Sequence, residues 1–215
     1  MFRLISITGF VVAFASIAWA YRAKTEERNA MLAWWAEQFK TVREALRKLV
    51  ALRDLKISIY RLSLLLFMIL AVTGFAPVLL FGWHMSGVAM ILHVTIAPIF
   101  AVGAVALALM YAQSQTFNQT DWDYFRQLVR RKLTNKNIFA AGLAFWKKAS
   151  FWLMLLLTVP VIASVVLMMY PWFGTAGQHA LLQWHRYSAF FLTLVLILHL
   201  YLITLAHYRA GKSNS

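Results

Sequence analysis

Five stretches of the chain are apolar almost without interruption: Leu4–Ala20, Leu62–Phe81, Gly87–Ala112, Phe151–Met169 and Leu181–Ala206. Each approaches the roughly 20 residues that a helix needs to cross a hydrocarbon core. They predict five membrane-spanning helices. Between the first two, the pattern changes. Met31, Leu32, Trp35, Phe39, Val42, Leu46, Leu49 and Leu52 recur three and four residues apart, with Lys40, Arg43, Arg47, Lys48 and Arg53 largely between them. This predicts an amphipathic helix, lying on a membrane surface or docking a partner subunit. A second polar segment, Asp121–Lys148, is acidic and then basic, and its Trp122, Tyr124, Phe125, Phe145 and Trp146 suit a membrane interface, as does Trp152 just beyond it. The predicted organisation is an N-terminal anchor over 1–21, an amphipathic segment over 22–56, a four-helix unit over 57–208 and a polar tail over 209–215. The fold class is an all-α membrane bundle.

Composition supports a lipid environment. Hydrophobic residues make up 62% of the chain, against about 45–50% in soluble domains. Only 13% of residues are charged, yet 21 Lys+Arg face 7 Asp+Glu, for a net charge of +14. In so apolar a chain this excess points to lipid and not to nucleic acid. Nineteen of the 21 basic residues fall within Arg22–Arg61, Asp121–Lys148 and the tail, and only Arg3 and Arg186 lie elsewhere. The positive-inside rule places those three regions in the cytoplasm, with the N-terminus outside and the C-terminus inside. Ala18-Trp19-Ala20 looks like a cleavage site, so the first span has a second reading as a removable signal peptide. Cleavage would strand the basic stretch outside, so the charge pattern favours a retained anchor.

The chemistry is narrowed by the absence of cysteine, which removes disulfides, thiolate nucleophiles, iron–sulfur ligation and covalent c-type haem attachment. Six histidines are left: His84, His93, His179, His185, His199 and His207. A histidine within a membrane span is costly and marks a functional candidate. His185 and His199 are fourteen residues apart, which is about 40° short of four turns and about 21 Å along one helix. The two rings share one face at two depths, a spacing that suits two haems stacked across a bilayer. His93 lies as deep in its span as His185 does in its own. Axial ligation of a b-type haem by His93 and His185 between two helices follows. His84 and His179 fall in the loops before those spans and read as surface residues, with a propionate or partner contact as the alternative. His207 suits snorkelling toward headgroups. A zinc or proton-handling site built on histidines would lack any Asp or Glu within a span to complete it. Gly87 and Gly103 are candidates for close approach of helices or a macrocycle.

These residues resemble a known family. The stretch Leu182–Leu202, with His185, small residues after it and His199-Leu200-Tyr201, resembles the membrane cytochrome b (gamma) subunit of respiratory formate dehydrogenases. That group lies within a wider set of four-helix di-haem, cytochrome b561-like proteins. Tyr170-Pro171-Trp172-Phe173-Gly174, Leu92-His93, Val72-Thr73-Gly74 and Lys148-Ala149-Ser150-Phe151-Trp152 are similar too. The likeness covers about residues 57–208. It implies a haem b subunit in a bacterial cytoplasmic membrane. Electrons would arrive from an iron–sulfur subunit at the outer face, with a molybdenum or tungsten catalytic subunit beyond it, and pass toward quinone. It implies His93, His185 and His199 as iron ligands. Arg186, beside a ligand, is a candidate partner for a haem propionate. One family histidine is missing: its place, thirteen residues before Thr73, holds Tyr60. Three outcomes are open there. Tyr60 ligates as a phenolate, Met110 or Met154 serves instead, or the inner haem is five-coordinate or absent. Ala144 stands near the place of a quinone-site Asn. The competing reading is a structural anchor or assembly subunit, with one haem or none and no quinone chemistry.

Overall fold

The computed structural model describes residues 1–22, 55–130 and 138–213, with a few helical positions between 29 and 37. The amphipathic helix expected over 31–53 therefore lies outside the described residues, apart from those positions. The described residues form helices and short connections, with no strand among them. We label the helices α1 (Phe2–Arg22), α2 (Leu55–Ala76), α3 (Gly87–Tyr111), α4 (Gln119–Val129), α5 (Ile138–Met168) and α6 (Gly174–Ser213). A π-helical turn, Pro77–Phe81, continues α2, and it ends at Gly82 with φ 70°. All except α4 are long and apolar enough to cross a membrane. The all-α, five-span expectation holds.

Hydropathy places the membrane edges, and hydrogen bonding runs past them. α5 starts at Ile138, thirteen residues before the apolar run begins at Phe151. Its extra turns cross the interface and carry Lys147 and Lys148. Lys148 Nζ bonds Asp121 Oδ2 at 2.5 Å, and the Asp121 side chain is almost fully buried. Asp121 also closes a capping box at the start of α4: Asn118 Oδ1 accepts from the Asp121 N–H, and Asp121 Oδ2 accepts from the Asn118 N–H. Trp152 Nε1 donates to the Gln115 carbonyl at 2.9 Å. The connection is thus a short helix docked on α5. Phe145 is buried within its aromatic cluster, while Trp122, Phe125, Trp146 and Trp152 remain exposed, as interfacial residues should be.

Two antiparallel hairpins, α2/α3 and α5/α6, make up the bundle. Each packs closely within itself, and contact between them is sparse, mainly from α3 to α5. Gly103 lets α2 and α3 approach, since a Cβ there would sit 2.6 Å from Ser63 Oγ. Gly87 does not serve that purpose. Nothing lies within 4 Å of a Cβ placed there, and its φ of 58° is a backbone requirement at the start of α3. α1 bridges the hairpins. Phe2 and Phe10 both pack on Phe75 of α2 and Phe190 of α6, and Phe2 also meets Tyr187. Ser6, between them on the same face, is fully buried.

The interior is polar relative to the rim. Buried residues include Ser63, Ser150, Thr158, Ser164, Thr193, His199 and Thr204, while many Leu, Val, Ile and Trp side chains face outward. In lipid, apolar residues gain nothing by leaving the hydrocarbon, so hydroxyl-bearing and small side chains collect between helices. Thr158, Thr193 and Thr204 each donate to the carbonyl four residues back, which satisfies the hydroxyl within its own helix.

Candidate cofactor site

His93 of α3 and His185 of α6 face one another across the junction of the two hairpins. Their ring centres are 6.4 Å apart, with 79° between the planes. Imidazole nitrogens bind a metal at about 2 Å, so rings at this separation would leave room for one iron between them. Gly74 of α2 borders the site: a Cβ there would lie 3.2 Å from His93 Cε1. Thr73, its neighbour, places Oγ1 2.9 Å from His93 Nδ1. The Thr73-Gly74 pair thus provides a polar contact and the space beside the ring.

On the other hairpin, His185 Nδ1 lies 3.2 Å from Ser164 Oγ and 3.2 Å from the Val161 carbonyl oxygen. Fourteen residues further along α6, His199 is buried, and its Nδ1 is 2.7 Å from Ser150 Oγ. In all three histidines the engaged nitrogen is Nδ1, so Nε2 is the atom available to a metal. An imidazole held by its other nitrogen is the usual arrangement around a ligated metal. The donor set fits haem iron, which takes two axial nitrogens. It fits zinc poorly, since no group of three or more His, Asp or Glu gathers among the described residues. The sparse contact between the hairpins is what a flat cofactor between them requires.

The remaining candidates are placed as follows. Tyr60 is near enough to Tyr111 for the two phenols to interact electrostatically, and among the described residues no hydrogen bond or ring contact joins it to His199. Arg186 is half-buried next to His185 and forms no ion pair among the described residues. Lys147 is close enough to His199 for their charges to interact. His84, His179 and His207 are exposed, in line with their reading as surface residues. His179 borders an open groove of about 610 Å³ with Met168, Pro171, Gly174, Thr175, Gln178 and Leu182. Sequence reasoning named the histidines and missed the hydroxyls of Ser150 and Ser164. A signal for them exists: the two serines are fourteen residues apart, the interval that separates His185 from His199.

Paired histidines at iron-spanning distance inside a helical membrane bundle are the architecture of membrane haem cytochromes. The chain belongs to the prokaryotic cytochrome b561 family, whose model matches residues 61–214. The family binds haem b, and the chain is a multi-pass membrane protein of that family. The match covers both hairpins and leaves α1 outside it. No curated protein and no solved structure matches the chain.

Proposed function

We infer that the chain is the haem b membrane subunit of a respiratory oxidoreductase complex of the formate dehydrogenase kind, in a bacterial cytoplasmic membrane. An iron–sulfur subunit would meet it at the outer face, where His93, His185 and Arg186 lie, with the catalytic subunit beyond. Electrons would move inward toward the quinone pool, with the basic segments and the C-terminus in the cytoplasm. The observation that carries this reading is the 6.4 Å separation of the His93 and His185 rings across the hairpin junction.

A haem held there would carry one electron at a time between ferric and ferrous iron. The protein would present two imidazole nitrogens from facing helices, each ring held by a hydroxyl of the neighbouring helix. Arg186, half-buried beside His185, is placed to balance a propionate. At the inner level His199 offers a third nitrogen, and Lys147 a nearby positive charge. Tyr60, near Tyr111, stands where a fourth ligand would be expected. Our reading is an inner iron held by His199 without Tyr60, or a single outer haem.

The test is haem per chain, by pyridine haemochrome assay, with a reduced-minus-oxidised spectrum of wild type, His93→Ala and His199→Ala. One b haem lost in His93→Ala and kept in His199→Ala means a single outer relay. Two haems, each lost with one variant, mean a relay across the membrane. A well-folded chain with no haem overturns the reading and promotes the structural anchor.

A further inference from the structure

The three histidines share a local device. Each Nδ1 meets a hydroxyl on the neighbouring helix: Thr73 for His93, Ser164 for His185 and Ser150 for His199. Each hydroxyl also reaches a carbonyl of its own helix. Thr73 Oγ1 is 2.8 Å from the Ile69 oxygen and 3.2 Å from that of Leu70. Ser164 Oγ is 2.9 Å from the Val161 oxygen, and Ser150 Oγ is 2.9 Å from the Lys147 oxygen. His185 Nδ1 is also 3.2 Å from the Val161 oxygen. Thus one hydroxyl faces each Nδ1 from the partner helix, three times over.

The direction of these bonds follows from counting protons. A hydroxyl has one proton and two lone pairs, and a carbonyl has only lone pairs. The hydroxyl proton satisfies its own helix carbonyl, so the oxygen must accept from the ring. The Val161 carbonyl facing His185 can also only accept. Nδ1 therefore carries the proton in each histidine, and Nε2 carries the lone pair.

We propose that Thr73, Ser150 and Ser164 are positioning residues, which fix the three intramembrane histidines in the Nδ1–H tautomer and aim each Nε2 at iron. The proposal rests on the haem reading above and extends it to residues on the helix that precedes each ligand's own. An acceptor on Nδ1–H gives the ring more anionic character, which strengthens its bond to ferric iron and lowers the reduction potential. His185 keeps the Val161 carbonyl at 3.2 Å even without its hydroxyl, so it depends least on its serine. His199 makes the shortest hydroxyl contact of the three and depends on it most.

The experiment uses the full-length chain with haem. Thr73→Val, Ser150→Ala and Ser164→Ala are compared with Thr73→Ser, Ser150→Thr and Ser164→Thr, which keep the hydroxyl. Haem content, haem dissociation and midpoint potential from optical redox titration are read together. The hydroxyl-deleting variants are expected to bind haem about 10–100-fold more weakly. The haem they retain should titrate at a higher potential, and the hydroxyl-keeping variants should return both values to wild type. Equal loss of haem in both sets, with no change in potential, would show packing alone and overturn the proposal. A silent Ser150→Ala beside active Thr73→Val and Ser164→Ala would overturn it at His199. Wild-type chain lacking haem is a separate result, which removes the haem reading itself and this inference with it.

Discussion

Replacing Gly74 by alanine should separate haem binding from folding. The added Cβ would lie 3.2 Å from His93 Cε1. Carbon atoms rest at about 3.5–4.0 Å, so the ring must retreat by about 0.3–0.8 Å. Metal–ligand distances hold to about 0.2 Å. The ring can satisfy the new methyl or the iron, and not both at full strength. We expect haem affinity to fall by about tenfold or more, which is about 1.4 kcal/mol. The haem-free protein should respond in the opposite sense. Gly74 is inside α2, where alanine is favoured over glycine by up to about 1 kcal/mol, and an unligated ring can move aside. The assay pairs a haem titration, followed at the Soret band, with thermal unfolding of the same chain without haem. Gly103→Ala is the control. Its Cβ would meet Ser63 Oγ at 2.6 Å, so it should destabilise both forms by about 1–3 kcal/mol through the α2–α3 crossing. Wild-type haem affinity in Gly74→Ala would refute the argument, because His93 could not then be the ligand in the pose described.

Three further outcomes follow from other parts of the bundle. Lys148→Met leaves the buried Asp121 carboxylate unpaired, a loss of about 3–5 kcal/mol. It should undock α4, seen as proteolysis within 116–137, and Asp121→Asn in the same chain should recover part of the loss. Phe190→Ala removes the side chain shared by Phe2 and Phe10, and Phe190 is only 2% exposed. A loss of about 3–5 kcal/mol is expected, with crosslinking between α1 and α6 as the readout; an unchanged melt would mean that α1 is not held by this cluster. Tyr60→Phe should leave the optical spectrum of the bound haem unchanged if His199 holds an inner iron without it; loss of a haem component would instead identify the phenolate as a ligand.

The spans were legible because each is a local property, a run of apolar residues long enough to cross lipid. The histidines were legible because a titratable ring in such a run stands out, and their interval converts directly into angle and rise. The hydroxyl partners were not. A serine inside an apolar run looks like any small packing residue until the antiparallel pairing of α5 with α6 is known. The docking of α4 was equally hidden: Asp121 and Lys148 are far apart in sequence, and the connection read only as charged and aromatic.

The pairing of α5 with α6 has a mechanical consequence. Ser164 meets His185 and Ser150 meets His199, so the same antiparallel register holds at both levels. An axial slip of one residue, about 1.5 Å, would break both contacts together. Shear between these helices is therefore resisted at two points about 21 Å apart, and the hairpin behaves as a stiff ruler along the membrane normal. When the bilayer thins or thickens, such an element adapts by tilting as a whole. Its depth markings move together, and the interval between the two histidine levels stays the same.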